Sequence, residues 1–109
     1  MKITDVFELI DIINHCVWQV NRIDINTVDG EMIVSMHMTD EKHSDITVSF
    51  IGTTSLSIQY SMTPPITIHG FEIIDNKNNG WERSQRYYVH DYEDGIISFY
   101  CRDIIPDNK

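Results

Sequence analysis

The chain has 109 residues, enough for one domain around one core, and 41% of them are hydrophobic. Seventeen acidic residues against eight basic ones give a formal net charge of −9. That balance speaks against a nucleic-acid binder, which needs a cationic surface to displace counterions from phosphates, and against an anionic membrane surface. It suits electrostatic steering toward a basic protein partner, and it also serves plain solubility.

Thr4 to about Cys16 reads as the one helix, because Val6, Leu9, Ile10, Ile13, Cys16 and Val17 recur at helical spacing while Asp5, Glu8 and Asp11 fall mostly elsewhere. Thr4 is placed as its N-cap, and Asp5 and Glu8 suit the positive end of the helix dipole. Phe7 occupies the position where a capping box would need Glu or Gln. These same acidic residues interrupt the apolar run, so the N-terminus does not read as a signal peptide, and no long uncharged stretch follows. Cys16 and Cys101 sit at unrelated positions without a CxxC, as free thiols in a cytoplasmic protein would.

Residues 17–38 read as a hairpin. Asp29-Gly30 is a turn signal, and using it as a two-residue loop places Ile25 against Val34, Ile23 against Met36 and Thr27 against Met32, with Asp24, Ser35, Arg22 and His37 on the other side. The Met32, Met36 and Met38 stripe is read as core. Thr39 to Asp45 is a charged connection; its Asp40, Glu41, His43 and Asp45 lack the glycine and terminal glutamate of a calcium loop. Residues 45–60 are expected as a second hairpin about Gly52-Thr53-Thr54, with Phe50 against Leu56 and Val48 against Ile58. Pro64-Pro65 closes that unit.

Ile66 to Ile74 is an extra strand with an awkward phase: Ile66 and Ile68 lie on one side, Phe71 and Ile73 on the other, and Gly70 between them implies a bulge or bend. A polar loop holding Trp81 follows. Residues 86–104 are expected as the last hairpin, turning at Asp94-Gly95 with Tyr92 against Ile97, His90 against Phe99 and Tyr88 against Cys101. That register turns Tyr88, His90, Tyr92 and Phe99 inward. It leaves Tyr87, Asp91, Tyr100 and Arg102 on a mixed face, which with Trp81 is the candidate partner contact. Ile105 to Lys109 is read as a tail.

These elements amount to a mainly β (α+β) fold of one domain: an N-terminal helix on an antiparallel sheet of about seven strands, curled into a half-barrel or a small sandwich. No GxSxG, P-loop, GxGxxG or HExxH occurs, no histidine spacing selects a metal, and nothing calls for a cofactor. His90 and Asp91 are strand neighbours and point to opposite faces, so they do not form a dyad. His69 and His90 with Tyr88 or Tyr92 would make an acid–base site only if the fold brings them together; a core histidine is the plainer reading. A second alternative is a ligand cavity walled by Tyr88, His90, Tyr92 and Phe99.

The segments ITVSFIGTTSLSIQ and ITIHGFEIIDNKNNGWERSQRYYVHDYEDGIISFYCRDI, with an F-x-G strand end, a GF-x-I strand and a late aromatic hairpin, resemble small bacterial β-rich proteins of the polymorphic-toxin immunity class. The resemblance implies a cytoplasmic, non-enzymatic protein that neutralises a partner toxin. It transfers no catalytic residues.

Overall fold

A computed structural model describes residues 5–42, 44–59, 65–77 and 85–107. The described residues form one helix, α1 (Val6–Asn14), and nine strands: β1 (Trp18–Val28), β2 (Glu31–Asp40), β3 (Asp45–Ile51), β4 (Thr54–Ile58), β5 (Ile66–Ile68), β6 (Phe71–Asp75), β7 (Tyr87–Asp91), β8 (Ile97–Cys101) and β9 (Asp103–Asp107). They make two antiparallel sheets, ordered β5-β1-β2-β3-β9 and β4-β8-β7-β6. The mainly β character with one helix is therefore as the sequence indicates. The single sheet of about seven strands is not: the chain folds into two sheets of five and four strands.

Three bends explain the difference. At Gly52-Thr53 the chain leaves the five-stranded sheet as β3 and enters the other as β4. Gly52 takes φ +71°, which an L side chain rarely adopts, and the buried Thr53 hydroxyl donates to the Phe50 carbonyl at 2.9 Å. The hairpin expected over 45–60 thus does not form; β3 pairs with β2 and β9, and β4 with β8. At His69-Gly70 the chain crosses back between sheets. Ile66 and Ile68 are buried under one sheet, Phe71 and Ile73 under the other, which resolves the awkward phase. At Arg102 it crosses once more, and the expected tail is instead strand β9 against β3. Two strands read from the sequence as single are thereby each divided in two. Because the bent strands belong to both sheets, the order of neighbours closes on itself: β1, β2, β3/β4, β9/β8, β7, β6/β5, β1.

The inner faces of both sheets share one core. Trp18, Phe50, Phe71 and Phe99 are fully buried, and Phe50 of β3 meets Phe99 of β8 edge-to-face at 5.0 Å. Met36 and Met38 are buried in this core and Met32 packs against it. The β1–β2 hairpin has the expected register, Ile25 to Val34 and Ile23 to Met36, and Asp29 and Gly30 take φ 52° and 81° as a type I′ turn requires.

Helix α1 is shorter than expected and is capped by Asp5, whose carboxylate accepts from the Phe7 amide at 2.8 Å. Thr4 lies outside the described residues. Leu9 and Ile13 are buried, and the helix is tied to the sheets at its C-terminal end. The Asn14 side chain donates to the Ile73 carbonyl at 3.1 Å and accepts from the Ile73 amide at 2.7 Å. One amide side chain thus takes the place of a neighbouring strand on the free edge of β6. No described helix is long and apolar enough to cross a membrane.

Gly70 is needed for space rather than for its φ. A Cβ there would sit 3.0 Å from the Glu93 backbone nitrogen and 3.1 Å from the Tyr92 ring, and the Gly70 carbonyl already accepts from the Tyr92 amide at 2.9 Å. Backbone cannot yield as a side-chain tip can. Gly70→Ala is expected to cost about 1–3 kcal/mol in urea unfolding; an unchanged midpoint would show that the β7–β8 loop does not press on this bend.

Candidate functional site

The last hairpin is the part of the fold whose facing the sequence misplaces, and the error has one cause. Asp91 does not point outward. It is 3% exposed, and its carboxylate accepts from the amides of Glu93 and Asp94 at 3.1 and 3.3 Å through one oxygen and of Ile96 at 3.3 Å through the other. This carboxylate winds Tyr92–Ile96 into a five-residue loop in place of the two-residue turn, with Gly95 at φ 63°. An odd loop changes the register by one, so Tyr87 pairs with Cys101, Tyr88 with Tyr100, Val89 with Phe99 and His90 with Ser98. Strand β8 keeps the face expected of it, and β7 turns over. Tyr87, Val89 and Asp91 enter the interior; Tyr88 and His90 leave it.

The outward face that results carries a row of stacked rings. Tyr88 lies 4.8 Å from Tyr100 across the strands and 4.7 Å from His90 along β7, the latter pair near-parallel at 29°. Tyr92 continues the row at 6.3 Å from His90 and is 61% exposed. On the adjoining β6, Glu72 pairs directly with His90, and its carboxylate oxygen lies 2.8 Å from Nε2. Ile74 is exposed two residues further along β6, opposite Tyr88. The rings therefore hold one another upright on a rigid four-stranded platform, and the Glu72 contact fixes the imidazole. Such a ridge loses little side-chain freedom when a partner closes over it.

Of the residues proposed from sequence as partner contacts, Tyr100 lies on this ridge. Arg102 is half-exposed at the bend after β8, where its guanidinium lies 3.2 Å from Glu31 and 3.0 Å from Asp103. Tyr87 and Asp91 are each 3% exposed and face the core, contrary to the outward face expected of them. Trp81 lies outside the described residues. The expected cavity wall does not form: Phe99 is buried on the inner face, opposite to Tyr88, His90 and Tyr92. His69 is exposed at the β5–β6 bend and His90 sits on the ridge. The ridge escaped the sequence reading because the loop reverses the facing of Tyr88 and His90; its flank, Glu72 and Ile74, emerges only once β6 is seen as separate from β5. The alternation Phe71-Glu72-Ile73 already carries that signal.

The surface around the ridge is acidic. Glu93 and Asp94 are exposed in its flanking loop. Arg22 is bound to Asp24 at 2.9 Å and Arg86 to Asp75 at 3.4 Å, so the described arginines, Arg102 included, are all engaged by carboxylates. Arg86 also lies 4.9 Å over the Tyr87 ring.

Neither thiol is activated. Burial pushes Cys101 up to about 12, with Asp103 adding to it, and burial followed by Asp40 and Glu41 raises Cys16. Cys16 borders a groove of about 670 Å³ between the end of α1 and the β2–β3 turn, with Asp11, Asp40 and Glu41 on its walls. Among the described residues no group of three His, Cys, Asp or Glu side chains is placed to hold a metal ion.

A thiol held protonated by the fold binds its proton more tightly folded than unfolded. The stability Cys101 gives is therefore whole below its ordinary value of 9.0 and is lost as pH rises from there toward about 12. Cys101→Val is expected to flatten the alkaline fall in stability, and a disulfide reagent at pH 8 should modify Cys101 only after denaturation. Rapid modification of both thiols in the folded protein would contradict the burial.

Comparison with known proteins places no relative beside the chain: no family model, curated protein or solved structure matches it.

Proposed function

We propose that this protein is a non-enzymatic protein-binding module of the immunity type, whose acidic surface covers the basic cleft of a nuclease-like toxin in the cytoplasm. The observation that carries the reading is the outward ridge of Tyr100, Tyr88, His90 and Tyr92, stacked in advance and set among carboxylates. Tyrosines on a rigid surface are characteristic anchors of protein interfaces, because a large amphipathic area is buried at little entropic cost. The charge of −9 supplies the complement to a cationic partner and speeds its encounter. Arg102 and Trp81 are further contacts of the same reading.

A thiol nucleophile is not supported, since both cysteines are shifted upward, away from the thiolate. In this reading the His90–Glu72 pair is a positioning contact within the ridge.

The test is binding to the product of the adjacent reading frame by calorimetry over a range of salt. The proposal expects a complex that weakens as salt rises. Absence of a complex at low salt would remove its main support.

A further inference from the structure

The strand edges of this fold are treated unequally. On β6, the Asn14 side chain occupies Ile73. On β9, Pro106 has no amide hydrogen to offer. β4 is interrupted by a register shift between Thr54 and Ser57, with Ser55 at φ 55°. β5 is three residues long, and the prolines 64 and 65 that precede it carry no amide hydrogen. Each device blunts lateral pairing.

Past the register shift between Val20 and Arg22, the outer edge of β1 has no such device. β5 covers only Trp18 to Val20, and among the described residues no strand pairs beyond that point on this side. Arg22 to Val28 runs on as one edge of the projecting β1–β2 arm. Ile25 is 46% and Val28 51% exposed, Ile23 is half-buried, and no charge falls between Ile25 and Val28. A free edge of seven residues carrying exposed branched apolar side chains is a template for another strand.

We propose that the Arg22–Val28 edge is a self-association site at which a second copy of this chain pairs antiparallel, joining the two five-stranded sheets into one of ten strands. Charge selects the occupant. The chain as a whole carries −9, yet this stretch is neutral, because its single cation and single anion, Arg22 and Asp24, bind one another at 2.9 Å. A basic partner is drawn to carboxylates elsewhere, whereas two acidic copies approach best where neither presents net charge. Among registers that keep both inner faces on one side, the one centred on Ile25 uses all seven residues. It sets Ile25 against its own counterpart, Ile23 against Thr27 and Asp24 against Asn26, so no like charges are opposed. A centre on Asp24 would oppose two carboxylates, and one on Ile23 would run into the part of β1 already taken by β5.

The arrangement is tested on the full chain by sedimentation equilibrium over a wide concentration range. The mass is expected to rise from monomer to dimer, and added salt is expected to strengthen the association by screening two negative molecules, the reverse of its effect on a basic partner. Ile25→Lys should abolish the rise while leaving the circular dichroism and thermal midpoint in place. In a Cys16→Ser background, Ile25→Cys should give an intermolecular disulfide on mild oxidation, and Asp24→Cys alone should not. A monomer at every concentration would overturn the proposal. So would edge amides that gain exchange protection only when a basic partner is added, since the edge would then belong to that partner. Loss of toxin binding with the dimer intact would overturn the functional reading alone.

Discussion

Replacing Asp91 with Ala is expected to destabilise the protein by about 3–5 kcal/mol, seen as a large shift in the denaturant midpoint. A hydrogen bond to a charged group contributes roughly 1.5–3 kcal/mol, and a buried donor left unpaired costs a further 1–3 kcal/mol. Asp91 accepts from three backbone amides, and that of Ile96 is buried. The substitution leaves the buried Ile96 donor without an acceptor, while the half-buried Glu93 and Asp94 amides turn to water at the loop surface. Asp91→Asn should recover part of the loss: its oxygen can serve Glu93 and Asp94, but its amide group faces the Ile96 N–H donor to donor. The ridge is expected to suffer with the loop, because the register that turns Tyr88 and His90 outward depends on it. A midpoint within experimental error of wild type would show that the loop is held by something else.

Trp18→Ala is expected to cost about 3–5 kcal/mol, a large share of the roughly 5–15 kcal/mol that holds a domain of this size. Trp18 is fully buried and opens β1 at the junction with α1, where its indole N–H donates to the Ile13 carbonyl at 3.0 Å. That bond satisfies an acceptor in the last turn of the helix, whose final carbonyls lack partners within it. Truncation opens a large cavity between the two sheets and frees the helix end together. Trp18→Phe keeps most of the volume but not the donor, so it should fall between wild type and Ala. Equal losses for Phe and Ala would assign the effect to the hydrogen bond instead of packing.

Much of this architecture is legible in the residues. The β1–β2 hairpin follows from Asp29-Gly30 and a clean alternation around it, and the bend at Gly70 follows from the change of phase between Ile68 and Phe71. What alternation does not reveal is which sheet a strand joins. Val48, Phe50, Leu56 and Ile58 satisfy a hairpin as well as they satisfy two strands meeting at a corner. The corner wins through long-range partners, β9 for β3 and β8 for β4, which no local pattern contains. The Asp94-Gly95 signal misleads for a different reason: three residues earlier stands a carboxylate that can organise a wider loop, and a buried Asp91 was the less expected outcome from polarity alone. The candidate surface was legible in composition, since the aromatic residues lie within a short stretch, but its sidedness rests on the parity of one loop.

The ridge is proposed as a contact surface for a cationic protein. The most direct measurement is the affinity of the purified chain for the product of the adjacent reading frame, at low and at physiological salt, compared with Tyr88→Ala and Tyr92→Ala. The expected result is a complex that weakens with salt and that each substitution weakens about 30-fold, the scale of a hot spot of about 2 kcal/mol, with the thermal midpoint unchanged for the exposed Tyr92. A complex indifferent both to salt and to the loss of these rings, or no complex at low salt, would contradict it.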